Sequence, residues 1–374
     1  MVAPAANRRR GRVLHLIDTT GPGGAETVFL ETAHGLRDRG WVSRAALIGP
    51  GWVFDNARAL GLDVDIVRTR RRLDIGYLSG LRRLVQQHDI DLIHAHLFSP
   101  ALYASVTGMM ERVPVVASFH GASDIEPGIG RRIRYRIIDR AATIVCVSES
   151  LRQQAANHLG STAESLRLIY NGIDTDRFAG GDGERIRQRY GVPADALLIG
   201  AVGNVREAKD YATFLRMAAR LSGDSRLFFA IAGERTEPLY GSLLRLRDEL
   251  HLQDRLEFWG FQDDVPAVMG ALDVLVISST TEGFSLAAIQ AMAAGTPVIA
   301  TRSGGPEEII QHGITGLLVP TGSPESMADG VKQILNDTSF RSSLIQNAGE
   351  SVRARFSLRQ MLDGYDRLYG ELLA

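Results

Sequence analysis

Residues 274–300 read VLVISSTTEGFSLAAIQAMAAGTPVIA, and this stretch decides the fold. Val274–Ile277 is a short unbroken apolar run rich in β-branched side chains, as expected of a strand buried on both faces. A polar loop follows. Leu286–Ala294 is made of good helix formers and stops at Gly295, where glycine supplies a left-handed cap without steric cost. Val298–Ala300 opens the next apolar run. Strand, loop, helix and strand so close together predict a βαβ crossover, hence a parallel sheet with helices on its faces.

The same pattern extends in both directions. Upstream, strands are expected at Val13–Ile17, Ala45–Ile48, Asp91–Ala95, Val115–Phe119 and Ile144–Val147, with helices between them such as Glu26–Arg39. The pattern breaks after Asn171-Gly172-Ile173-Asp174, and the glycine-rich Ala179–Gly183 reads as a linker. It then restarts with strands at Leu197–Val202, Leu227–Ile231 and Leu256–Trp259 and helices at Tyr211–Leu221 and Leu239–Leu250. We therefore expect two Rossmann-like doubly wound α/β domains, 1–178 and 179–356. A final amphipathic helix, Ser357–Leu373, shows Met361, Tyr365, Leu368 and Leu372 on one face. Ligands of open α/β sheets sit beyond the carboxyl ends of strands, so both sets of loops would face a central cleft.

Composition narrows the class. With 45% hydrophobic and 23% charged residues over 374 positions, the chain can bury two ordinary cores and is not of the disordered type. Its single cysteine, Cys146, lies in an apolar run and cannot form an internal disulfide, which suits a reducing cytosol. No apolar stretch approaches the roughly 20 residues of a membrane span, and a cytoplasmic location is expected. The net charge of −1 is unevenly shared: the first half is positive, with basic clusters at Arg8–Arg10, Arg70–Arg72 and Arg131–Arg136. Such clusters are usually solvated arginines; here they also suit peripheral contact with an anionic membrane or acceptor. Nothing points to nucleic acid.

Four strand ends carry chemistry. Gly21-Pro22-Gly23-Gly24-Ala25-Glu26 could bring backbone close to an anion at a helix start, or be a plain tight turn. Thr281-Glu282-Gly283-Phe284-Ser285-Leu286 places a carboxylate for sugar hydroxyls beside the N–H groups of Phe284, Ser285 and Leu286, which could hold a diphosphate. Gln290 lies further along that helix. Gly203-Asn204-Val205-Arg206-Glu207-Ala208-Lys209 supplies cations, Arg206 as a fork and Lys209 as a point charge, where a departing diphosphate gains negative charge. Ser118-Phe119-His120-Gly121 puts a histidine at a strand end. His94 and His96 share one strand face, but no third metal ligand is evident. The Asp-x-Asp spacings at Asp63/Asp65 and Asp174/Asp176 are discounted as metal motifs, because cationic side chains already fill the phosphate role.

Taken together, Glu282–Gly305 with Glu308, Gly23–Glu26, Asp91–His96, Ser118–Gly121, Tyr170–Asp174, Gly203–Lys209 and Gly313–Val319 resemble family 4 of the glycosyltransferases, in family order over nearly the whole chain. The resemblance implies a GT-B fold and a retaining, metal-independent transferase without cofactor. It further implies a nucleotide-sugar donor and a saccharide or lipid-linked acceptor in bacterial polysaccharide, lipopolysaccharide or glycolipid synthesis. It implies that Glu282 contacts the transferred sugar, Lys209 the phosphates, Gly24 the donor phosphates and His120 the active site, with Gly23, Gly203 and Gly283 shaping the donor loops. Gln290 stands where relatives carry a ribose-binding acid, and Asn204 where they often carry an arginine, for which Arg206 would substitute. The final helix is expected to pack back on the first domain. A nucleotide-sugar epimerase or hydrolase, or a non-catalytic sugar-binding protein, are the competing readings on the same architecture.

Overall fold

The computed structural model describes residues 10–69, 74–125, 128–159 and 162–374. Arg8, Arg9 and Arg70–Arg72 of the basic clusters lie outside the described residues, as does the side chain of Arg131. The chain forms two compact units, Met1–Gly172 with Leu358–Ala374, and Ile173–Ser357.

The first unit is built on seven parallel strands: β1 Gly11–Leu16, β2 Trp41–Leu47, β3 Asp63–Ile66, β4 Leu92–His96, β5 Val115–Phe119, β6 Thr143–Cys146 and β7 Arg167–Leu168, in the order β3-β2-β1-β4-β5-β6-β7. The order reverses between β1 and β4, where successive crossovers leave on opposite sides and open a crevice at the strand ends. Strands β4 and β5 are buried at every position, as sheets covered on both faces require. The C-terminal helix Leu358–Leu373 belongs to this unit. It buries Met361, Leu362, Tyr365, Leu368 and Tyr369, while Asp363 and Asp366 bind Arg39 and the Trp41 indole N–H.

The second unit carries six parallel strands: β8 Leu197–Val202, β9 Leu227–Ala232, β10 Leu256–Gly260, β11 Val274–Ile277, β12 Val298–Thr301 and β13 Leu317–Val319, in the order β10-β9-β8-β11-β12-β13. Its reversal falls between β8 and β11. Helix Tyr211–Leu221 seals one face, with Phe214, Leu215, Met217 and Ala218 fully buried in the core.

Three strands escaped the sequence reading, each for a physical reason. Strand β3 is an edge strand, and its apolar pattern is broken by Asp63 and Asp65, which one guanidinium, Arg44, bridges at 3.1 and 2.7 Å. That ion pair explains the first Asp-x-Asp spacing; in the second, Asp174 caps the short helix Thr175–Ala179. Strands β7 and β13 are only two and three residues long, too short for a period to show. The expected helix Glu26–Arg39 begins at Gly24 and tightens to a 3-10 turn over Leu36–Arg39. The glycine-rich stretch is not a linker. Cβ atoms at Gly181 and Gly183 would fall 2.1 Å from Pro266 O and 2.4 Å from Gly270 C, so these glycines allow backbone-to-backbone packing inside the second unit.

Candidate active site

The loops after β8 and β11 leave the sheet at its topological switch point and are tied to each other. The Ser278 hydroxyl donates to Lys209 O (2.7 Å), and Thr280 N–H to Ala208 O (2.8 Å). Lys209 ends a 3-10 turn, and Asp210 then adopts φ +44° and caps the following helix through Thr213. Gly203 has φ +153°, and a Cβ there would come 3.0 Å from Lys209 Cε, so glycine leaves room for the lysine stem. The Lys209 ammonium donates to Glu282 Oε1 at 2.7 Å, and the Ser279 hydroxyl reaches the same oxygen at 2.6 Å. The Glu282 backbone is fixed to the loop after β12: its N–H donates to Ser303 O, and its carbonyl accepts from Gly305 N–H. A cation and a carboxylate, distant in sequence, thus meet at one point in a part-buried setting where charge is weakly screened.

Just beyond Glu282, helix Leu286–Ala294 starts with no side-chain cap. Ser285 stands at the capping position, its hydroxyl buried and without a partner among the described residues. Open N–H groups at a helix start attract anions. Phe284 is buried and meets Phe356 edge to face at 5.5 Å, anchoring the turn. Gly283 touches Gly305, where a Cβ would fall 2.9 Å from Gly283 O. Gln290 is half-buried one turn into the helix. The Arg206 side chain is exposed and is not joined to the Lys209–Glu282 pair, and Asn204 accepts the Glu234 N–H.

The first unit gathers histidines. His120 follows β5, and Asp124 folds its loop by accepting the N–H groups of His120, Gly121 and Phe98. Burial pushes the Asp124 carboxyl up to about 6, against the pull of those three bonds. His120 Nε2 lies 3.0 Å from His96 Nδ1, and the two rings stack at 13°. Burial lowers His120 to about 4 and His15 to about 3, and holds His94 and His96 well below their usual value, so all four are neutral at pH 7.

A third imidazole missing from the sequence reading does exist: His15 of β1 pairs in register with His94, and ligand atoms of His15, His94 and His96 lie within 4.8 Å of one another. Both His94 nitrogens are already engaged, by Ser118 Oγ at 2.7 Å and Tyr369 Oη at 2.5 Å, which removes it from a ready metal set. At the glycine loop, Gly23 precedes helix Gly24–Gly35 in extended conformation, and a Cβ on it would meet Glu26 Oε2 at 2.3 Å. A carboxylate therefore already faces this helix start, which weakens its pull on an anion relative to the uncapped start at Leu286.

Two family models divide the chain: Glycosyltransferase Family 4 matches residues 22–177 and Glycosyl transferases group 1 matches residues 182–351. The chain is a family 4 glycosyltransferase. This glycosyltransferase is 29% identical to the lipopolysaccharide core biosynthesis glycosyltransferase LpsE of Rhizobium meliloti, over 92% of this chain and 95% of that one. It is 28% identical to N-acetyl-alpha-D-glucosaminyl L-malate synthase of Bacillus anthracis, over 80% of each. In fold it is similar to Anabaena Alr3699/HepE, solved with UDP-glucose, at a TM-score of 0.86 and 23% identity, covering 96% of this chain and all of that one. Both halves are thus Rossmann-like domains of the GT-B architecture, and the chain is a sugar-transferring enzyme of that family. No helix among its described residues is long and apolar enough to cross a membrane.

Sequence reasoning about this glycosyltransferase did not single out Ser279, Asp124, His15 or Tyr369. Ser279 sits three residues before Glu282 at a strand end, a spacing that could have drawn notice. The others become relevant only when β1, β4, β5 and the last helix are stacked.

Proposed function

We propose that this glycosyltransferase retains anomeric configuration and takes a nucleoside diphosphate sugar as donor in its second unit. The observation that carries the reading is the Lys209–Glu282 contact beside the uncapped helix start at Ser285. Lys209 and the N–H groups of Phe284, Ser285 and Leu286 receive the diphosphate, Glu282 accepts bonds from sugar hydroxyls, and Gly203 and Gly283 keep the loops close. Gln290 reaches the ribose through its amide oxygen. Arg206, exposed in the free protein, turns onto the phosphates only with donor present. In the first unit, Gly23 and Gly24 are the glycines assigned to the donor phosphates and His120 is the active-site histidine.

The C1–O bond to the β-phosphate breaks while the acceptor oxygen bonds C1 on the same face, and the acceptor proton passes to the leaving phosphate oxygen. The positive charge of Lys209 and the helix dipole stabilise that developing anion more than the bound donor, and the reaction proposed uses no metal and no cofactor. UDP and UDP-glucose bound to the similarly folded HepE suggest where to begin.

A thermal-shift screen of UDP, GDP and ADP with their hexose conjugates tests the reading: a bound donor raises the melting temperature by mass action, and no shift with any of them rejects it. Turnover of donor to free or epimerised sugar as fast without acceptor as with one would instead select a hydrolase or epimerase. Gln290→Glu is expected to tighten nucleotide binding about tenfold, the scale of one charged hydrogen bond gained at the ribose; titration calorimetry showing unchanged affinity would place the ribose elsewhere.

For the acceptor we propose a saccharide or lipid-linked sugar met at a cytoplasmic membrane face. Helix Ile129–Ala141 exposes Arg132, Ile133, Arg136 and Arg140, and Met109 and Met110 are exposed at the end of helix Phe98–Glu111. Basic residues near an anionic surface contribute about 1 kcal/mol each. Binding to phosphatidylglycerol vesicles, absent on phosphatidylcholine and lost in high salt, is expected in sedimentation assays; no pelleting with either lipid argues against the membrane contact.

A further inference from the structure

The two oxygens of Glu282 are unequally treated. Oε1 accepts from both Lys209 Nζ (2.7 Å) and Ser279 Oγ (2.6 Å), whereas Oε2 has no protein partner among the described residues. Ser279 is fully buried, and its carbonyl is held by the Thr301 hydroxyl of β12 at 2.6 Å. Its neighbour Ser278 donates its hydroxyl to the Lys209 carbonyl. One pair of adjacent serines therefore fixes both the lysine backbone and the glutamate head.

We propose that Ser279 is a positioning residue: with Lys209 it pins Oε1 of Glu282, so that Oε2 alone reads a hydroxyl of the transferred sugar. This rests on the donor reading above. The terminal torsion of a glutamate is soft and roughly two-fold, so a single anchor leaves the carboxylate plane free to turn, while two donors on one oxygen hold it. Each donor to an ionised oxygen is a strong hydrogen bond. Lys209 keeps two further N–H donors for the diphosphate. Ser279 thereby acts on sugar recognition and not on nucleotide binding, and it favours donors that present a hydroxyl hydrogen at Oε2 over those deoxygenated there.

Titration calorimetry of the full chain with UDP and UDP-glucose as probes tests this. In Ser279→Ala, UDP affinity should stay within about twofold of wild type, while the extra affinity of UDP-glucose over UDP falls about tenfold. Ser279→Thr, which keeps the hydroxyl, should restore most of it. In a Glu282→Ala background, Ser279→Ala should have no further effect, because the two side chains act as one unit. Equal weakening of UDP and UDP-glucose by Ser279→Ala, or an undiminished loss in the Glu282→Ala background, overturns the proposal and reduces Ser279 to a packing residue. If wild type binds UDP and UDP-glucose with equal affinity, there is no sugar reading for Ser279 to support, and the proposal fails with the donor site intact. Binding of neither probe, nor of the GDP and ADP counterparts, rejects the donor reading itself and Ser279 with it.

Discussion

Lys209→Ala is expected to lower kcat/KM by about 100-fold or more, the scale seen when one preorganised charge or donor is removed from a developing anion. The cause is local. In the folded unit the ammonium lies 2.7 Å from Glu282 and the Lys209 side chain is three-quarters shielded from water, so no bulk cation can replace it cheaply. The loss should fall mainly on kcat, because the leaving diphosphate carries more charge in the transition state than in the bound donor. Removing Lys209 also leaves the Glu282 carboxylate with Ser279 as its one remaining donor. A fall in melting temperature should accompany the kinetic loss, and Lys209→Arg should recover stability better than rate, since a planar fork does not reproduce a point charge. A steady-state change under threefold for Lys209→Ala would remove the residue from the chemistry.

The second large effect is acid destabilisation of the first unit. His15, His94, His96 and His120 are held neutral by burial, so the unfolded chain takes up protons below pH 6.5 that the fold refuses. Stability is thus present above the unfolded value near 6.5 and drains as pH falls toward the folded values, about 4 for His120 and about 3 for His15. At roughly 1.4 kcal/mol per pH unit and site, His15 and His120 each cost about 2.5 kcal/mol by pH 4.5. Asp124 works in the opposite sense: its folded value, raised to about 6, means the fold regains stability as that carboxyl protonates, and Asp18 leans the same way. Two carboxyls do not offset four imidazoles. Urea denaturation followed at pH 7.0 and 4.5 should show a lower midpoint at 4.5, and His15→Leu should shrink the difference. A midpoint that stays level between the two pH values would mean the cluster is hydrated or charged in the native state.

How far the sequence could be read depended on whether a feature was local. Strand–loop–helix–strand order, the Gly295 stop and the Gly203 and Glu282 loops are written in neighbouring residues, because burial on both sheet faces forces continuous apolar runs. The edge strand Asp63–Ile66 was not legible, since its polar face depends on Arg44 reaching across from β2. Nor was the role of Gly181 and Gly183, whose need for glycine comes from the backbone of 266–270 pressing on them. Arg206, read as the phosphate fork from its place before Lys209, has an exposed side chain, and whether it reaches a phosphate depends on the bound donor and not on the local pattern.

By itself the sequence determined the architecture and the family, because hydrophobic period and turn chemistry act over a few residues and the family motifs are contiguous. Only the tertiary structure decided which atoms meet: that Ser279 and Lys209 share one oxygen of Glu282, and that His15 joins His94 and His96 under the last helix. Such contacts depend on strand order and on side chains brought together from distant segments, and a parallel sheet pairs strands by crossovers whose partners no local pattern names.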